Sequence, residues 1–266
     1  FYEVSFTAGG TATALDGDVL TQGGVTSTVR RVVLQSGAWS GTAAGRFIIN
    51  APAGGNFAAG AATSVGSGAT VTISGVQTAI TLSTGGKCEF ERANFAGTLG
   101  SRRLYWVDGV NRGFEFDGTV AVPITTGTSP DTPKHLCESK NFLFFAFQTS
   151  AIHSAPGLPY NWSTVGGASE LQVGDTVTGI KRQTGNQDTA ALEIAALENT
   201  HILYGRSLAT WNLVPFKEGV GAQHYSLQNL GRTYAMDANG VVDLHAVQEY
   251  GNFEQATLTW GIKTFI

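Results

Sequence analysis

A pair of short β-rich runs joined by a tight turn returns through the second half of this chain, and no other feature limits its fold as sharply. The first copy runs from Arg103-Leu-Tyr-Trp-Val107 through Asp108-Gly109 to Phe114-Glu-Phe116 and Asp117-Gly118. The second pairs residues 141–147 with 151–157, and the third pairs 191–197 with 200–205. The fourth joins 231–236 to 241–247 across Asp237-Ala-Asn-Gly240. Their starts, near residues 104, 142, 192 and 232, are roughly 40–50 residues apart, the period of propeller blades. Asp-Gly and Asn-Gly supply the positive-φ geometry of hairpin turns. One such unit cannot bury both faces of its sheet and needs neighbours. The expected fold class is therefore all-β: a β-propeller-like body of repeated hairpins. Residues 193–199 carry a weak helical pattern, which the hairpin logic outweighs.

Composition shifts near residue 16 and again near residue 90. Between them Gly, Ala, Thr and Ser dominate, with little charge and almost no aromatics. Alternating stretches such as Thr70-Val-Thr-Ile-Ser74 fit a half-buried antiparallel sheet. Strands are expected at 25–35, 45–49, 69–74 and 78–82, separated by turns at Asp16-Gly-Asp18, Gly23-Gly24, Gly54-Gly-Asn56 and Gly85-Gly86. Residues 16–89 thus read as a small Gly/Ala/Thr-rich β-sandwich module. Residues 1–15 and 90–266 are assigned to the body. The module either precedes the body or is inserted into its first blade, in which case residues 1–7 and 89–96 would pair as flanking strands.

Charged residues make up only 14% of the chain, against a norm of about 25%. Such a surface is either covered by partners in an assembly or rich in Gly, Ser and Thr. The formal net charge of −4 argues against a general DNA-coating surface, which needs clustered Lys and Arg. It leaves room for a channel through which DNA slides, where weak repulsion prevents sticking. No run of about eighteen apolar residues offers a membrane span. No basic segment followed by an apolar stretch marks a signal peptide. The chain starts at Phe1 without Met and stops in what reads as a strand, so it is expected to be the ordered part of a longer polypeptide. Cys88 and Cys137 are too few for a disulfide framework and read as two reduced thiols, with a single disulfide as the alternative.

Signals of chemistry are sparse. His135, His153, His201, His224 and His245 stand apart from one another and from Cys or paired carboxylates, whereas a zinc site needs several converging ligands. Asp108-Gly-Val-Asn111 lacks the ladder of a calcium loop. Gly205-Arg-Ser207 lacks the closing glycine of a nucleophile elbow. Glu89 and Glu91 would share one face of a strand, but nothing in the sequence marks either as perturbed. No cofactor, metal or catalytic residue is expected. Trp106, Trp162, Trp211 and Trp260 recur about once per blade. They read as core aromatics locking adjacent sheets rather than as stacking platforms. Residues 154–162, with Pro156 and Pro159, read as a rigid loop that fixes the path between strands.

Several phrases carry a resemblance. They are Lys140-Asn-Phe-Leu-Phe-Phe-Ala-Phe147, Ile152-His-Ser-Ala-Pro-Gly-Leu-Pro-Tyr-Asn-Trp162 and Val173-Gly-Asp-Thr-Val-Thr-Gly-Ile180. To these add Ile202-Leu-Tyr-Gly205 leading to Trp211-Asn-Leu-Val-Pro215, Gly221-Ala222, Asn229-Leu-Gly-Arg232, and Asp237-Ala-Asn-Gly240. In this order, over residues 100–266, they resemble virion structural proteins of tailed bacteriophages, in particular the tail nozzle or packaged-DNA-stabilising proteins of short-tailed phages. The resemblance implies a homo-oligomeric ring, commonly a hexamer, below the portal and its adaptor. It also implies a virion location after assembly in the host cytoplasm, and passage of double-stranded DNA without specific binding. The chain is shorter than those nozzle proteins.

Three readings follow from different classes. The first is a structural ring subunit around the DNA exit channel. The second is a receptor- or glycan-binding tail tip protein, whose tryptophans would have to be exposed. The third is a depolymerase, for which no carboxylate pair can be nominated. For a channel subunit, Glu170, Asp175, Lys217 and Glu218 are the charged loop positions expected to meet the lumen or a neighbour.

Overall fold

The computed structural model describes residues 1–98, 100–183, 191–238, 240–247 and 252–257, excepting the side chains of 217, 218, 245–247 and 252–257. These residues form an all-β chain of antiparallel sheets.

The first sheet holds β1 (Tyr2–Gly9), β2 (Val19–Gln22), β3 (Val25–Ser36), β4 (Ala43–Ile49), β5 (Gly60–Val65), β6 (Ala69–Ile73) and β7 (Thr78–Ala79). Its order is β4-β3-β2-β5-β6-β1-β7, and β4 also pairs with β1. The pairings therefore return on themselves, from Tyr2 opposite Ile49 on one side of β1 to Phe6 opposite Ile73 on the other. Two stacked sheets were expected over 16–89, and one continuous sheet is found. Alternation explains its interior: in β6, Ala69, Val71 and Ile73 are buried while Thr70 and Thr72 face water. Phe6 stacks on Phe47 at 4.4 Å and on Trp39 at 5.5 Å to fill the centre.

Four four-stranded meanders follow in chain order. The second sheet is β8 (Glu89–Ala93), β9 (Arg103–Val107), β10 (Phe114–Phe116) and β11 (Ala121–Pro123). The third is β12 (His135–Ser139), β13 (Phe142–Ala146), β14 (Ser150–His153) and β15 (Ser169–Gln172). The fourth is β16 (Val177–Arg182), β17 (Leu192–Ala196), β18 (Asn199–Tyr204) and β19 (Asn212–Glu218). The fifth is β20 (Gln228–Asn229), β21 (Thr233–Asp237), β22 (Gly240–Val247) and β23 (Asn252–Thr257).

Each repeated hairpin of the sequence is the middle pair of one meander. The hairpin reading of 193–199 holds as well, with β17 pairing β18 from Leu192 opposite Leu203 to Ala195 opposite Thr200. One pairing does not form. Residues 1–7 sit in the first sheet, between β4 on one side and β6 and β7 on the other, whereas β8 pairs with β9. Residues 1–15 thus give their strand to the first sheet and not to the meanders, because both sides of β1 are already taken there.

Successive meanders pack face to face. In β13, Phe142, Phe144 and Ala146 join the apolar layer shared with the fourth sheet, and Leu143 and Phe145 join the layer shared with the second. In β17, Leu192, Ile194 and Ala196 face the third sheet while Ala195 faces the fifth. Strands covered on both faces read as unbroken apolar runs, and all five residues of β13 are buried. Fully burying a phenylalanine such as Phe144 or Phe145 contributes about 2–3 kcal/mol. Gly113 permits one close approach, since a Cβ there would lie 2.4 Å from the Phe145 ring.

Polar pairs and a small apolar seam join the first sheet to the second. Val33 and Ile48 pack on Val120 and Val122. Arg31 reaches across to Glu115 at 2.6 Å and Asp117 at 3.0 Å, while the Tyr105 hydroxyl donates to the other Glu115 oxygen at 2.8 Å. Arg112 donates to Glu3 at 2.7 Å, and Arg46 pairs with the same carboxylate and donates to the Pro123 carbonyl at 2.8 Å.

Candidate functional site

The first strands of the meanders gather along one line, and ionisable side chains meet there. Glu89 opens β8 and His135 opens β12, while Lys181 lies near the end of β16 and His224 precedes β20. One oxygen of the Glu89 carboxylate lies 3.1 Å from Nδ1 of His135 and also accepts the Leu136 N–H at 3.2 Å. The other accepts from Lys181 Nζ at 3.1 Å. On the far side of the His135 ring, Nε2 lies 3.3 Å from Nδ1 of His224. Tyr225 packs on His135 with ring centroids 4.8 Å apart, and the Lys87 ammonium sits 4.0 Å above the Tyr225 ring. Residues from all four meanders, counting the segment that leads into β20, are thus joined: the second sheet to the third and fourth, and the third to the fifth.

Burial and pairing set the charges. Burial drives the Glu89 carboxyl upward, but the His135 hydrogen bond and the Lys181 charge outweigh it and hold Glu89 below the ordinary carboxylate range. Lys181 is raised because Glu89 more than offsets its desolvation. Glu91, two residues along β8 on the same face, is raised by burial despite Lys181 and Arg182. His224 is lowered by burial first, then by the neighbouring His135 and Lys134. Two carboxyls on one strand with pKa values pushed apart form a pattern used in acid–base chemistry. Here both Glu89 oxygens are already occupied by neighbouring sheets, so the cluster ties strands together. Among the described residues no group of His, Cys, Asp and Glu is arranged to hold a metal ion.

A second buried acid lies deeper. Glu193 on β17 is fully buried, accepts from Gln183 Nε2 at 2.5 Å, and has its pKa raised to about 8 by desolvation. Cys137 is buried and its thiol is pushed up by burial, whereas Cys88 is exposed, and both are free.

The positions expected to meet a lumen fall in three different elements. Glu170 is exposed on β15, accepts from Gln172 at 2.6 Å, and borders a groove of about 510 Å³ with Lys134 and Phe147. Asp175 lies in the turn before β16, where its carboxylate accepts the N–H groups of Thr176 and Glu198 at 2.6 and 2.8 Å. No hydrogen bond or ion pair joins Glu170 to Asp175. Lys217 and Glu218, expected in a loop, end strand β19 instead, because the backbone of 217 and 218 continues the ladder with Thr200 and Asn199.

Two readings of the sequence change. The histidines are not all isolated, since His135 and His224 meet, and Glu89 and Glu91 are both perturbed. Spacing along the chain could not show this, because the partners come from separate meanders. The available signal was that Glu89, His135 and Lys181 all fall in first strands of the repeat. Trp162 and Trp211 pack against the apolar layers between the sheets, in line with the core expectation. Trp106 stacks on Phe114 at 4.8 Å, Trp162 stacks on Phe145 at 4.9 Å, and Trp211 packs on Phe142, also at 4.8 Å. All three are half-buried, and Trp260 lies outside the described residues. Trp162 also donates to the Pro159 carbonyl at 2.9 Å, tying down the proline-containing loop. No protein-family model matches this sequence, and no curated protein is similar to it.

Proposed function

We propose that this chain is a structural subunit of a bacteriophage tail, a nozzle or ring component whose four meanders act as propeller-like blades in the wall around the DNA exit channel. The phage-like phrases of residues 100–266 suggest the setting. The observation that carries the reading is the series of four meanders packed face to face, with their first strands tied through Glu89, His135, Lys181 and His224. Its hydrogen-bonding capacity is turned inward, as suits a rigid wall and not a turnover site. Side chains occupy the line where the sheets meet, so in this reading several copies enclose the channel and DNA passes beside each body. The first sheet, locked to the body through Arg31 and Arg46, makes the peripheral or inter-subunit contacts. Trp106, Trp162 and Trp211 are half-buried and stack on neighbouring rings, which favours the wall reading over a glycan-binding tip. Sedimentation of the purified chain, together with mass spectrometry of purified virions, tests the proposal. A ring-sized species and presence in virions are expected. A dispersed monomer at high concentration, absent from virions, would refute it.

A further inference from the structure

The two ends of the meander body differ in charge. The last residues of the first strands lie at one end, where Arg92, Arg102, Glu138 and Arg182 line a single groove of about 360 Å³ with Phe95. The turns at the other end carry Asp108, Asp131, Asp175 and Glu198, with Lys87 and Lys134 among them. Within the groove, Arg182 pairs with Glu138 at 2.8 Å. Arg92 and Arg102 are exposed and, among the described residues, make no ion pair. The exposed Arg206, in the turn after β18, lies toward the same end.

We propose that this groove binds phosphate groups of the double-stranded DNA backbone. The planar guanidinium fork matches phosphate oxygens in a way a lysine cannot. Its arginines come from three separate elements, β8, the approach to β9, and β16, so more than one phosphate can be met along the groove. The net charge of −4 is no obstacle, because the local field decides the encounter. Choosing DNA as the source of phosphate rests on the ring-subunit reading. In place of uniform weak repulsion, each subunit then offers the passing backbone one cationic end.

The test is fluorescence anisotropy of a labelled duplex with the full chain across a salt series. Binding at low salt is expected to weaken with a log–log slope of about 2–3, near 0.9 per phosphate contacted. Arg92→Gln and Arg102→Gln should each lower that slope by about 1, and together weaken low-salt binding at least about tenfold. Arg30→Gln, an exposed arginine on the first sheet, removes the same charge and should leave the slope unchanged. Both groove arginines are exposed, and thermal melting of each variant verifies folding. An absence of duplex binding by the wild-type chain overturns the inference. So does an equal loss in Arg30→Gln, or calorimetric binding of inorganic phosphate without binding of the duplex. Rings that fail to bind duplex overturn this inference alone, whereas a duplex-binding monomer absent from virions overturns the ring reading alone.

Discussion

His135 Nε2 lies 3.3 Å from His224 Nδ1 across 89 residues of chain, while the opposite nitrogen of the same His135 ring faces Glu89. One fully buried imidazole therefore bridges the second and fifth sheets from its place on the third. The meanders are joined by polar contacts at this line as well as by the apolar layers between them.

Removing the charge at the centre of this line should be costly. Glu89→Gln leaves Lys181 without its carboxylate and weakens the acceptor facing His135. A loss on the order of 3 kcal/mol is expected in denaturant unfolding. The double variant Glu89→Gln/Lys181→Met should lose less than the sum of the two single changes, because no charge is left stranded. A Glu89→Gln chain within about 0.5 kcal/mol of wild type would show that the cluster does not hold the sheets.

Glu193 gives the protein a pH dependence of definite sign. Its folded pKa is raised to about 8 from an ordinary 4.5. The folded state therefore keeps a proton that the unfolded state releases. Stability from this group is complete below about pH 4.5, falls as pH rises, and levels off above about pH 8. Glu193→Gln should flatten that decline, and melting temperatures of the two chains from pH 5 to 9 measure it. Parallel curves would contradict the assignment. Glu89 and His224 work in the opposite direction. With folded pKa values below the ordinary 4.5 and 6.5 respectively, they add stability that is lost as the solution becomes acidic.

Arg31 is the principal charged link between the first sheet and the meanders, with 15% of its side chain exposed and Glu115 and Asp117 both in reach. Arg31→Ala leaves the buried Glu115 with only the Tyr105 hydroxyl and the more distant Arg103 at 3.6 Å, and should cost about 2 kcal/mol. Arg31→Met with Glu115→Gln should recover part of that. Limited proteolysis near residues 80–88 is expected to accelerate in the single variant, and an unchanged cleavage rate would argue against this contact as the link.

The thiols should differ sharply. Cys88 is exposed and Cys137 is buried with its thiol pKa raised, so one equivalent should react with a thiol reagent in the native protein and a second only after unfolding. Two fast equivalents would contradict the packing of β12 against the fourth sheet.

Much of this architecture was legible because it is local. A hairpin is written in neighbouring residues, so Phe142–Ala146 with Ser150–His153 and Leu192–Ala196 with Asn199–Tyr204 could be read as strand pairs. The strands added before and after each hairpin were harder to see. β20 has only Gln228 and Asn229 in its ladder, and β11 is three residues long. Long-range closure was not legible at all. Nothing in Tyr2–Gly9 announces that it pairs with Ala43–Ile49 rather than with residues 89–96, since its alternation fits either partner. The cluster at Glu89, His135, Lys181 and His224 was hidden for the same reason. Its members are spread over the repeat, and only stacking of the meanders brings them within hydrogen-bonding distance.

Cryo-electron microscopy of the intact particle tests the central claim most directly. The account predicts a ring of copies of this chain around the DNA exit channel, with the Arg92 and Arg102 end of each body turned toward the DNA. A map in which this chain forms no ring, or lies away from the channel at a receptor-facing tip, would contradict it.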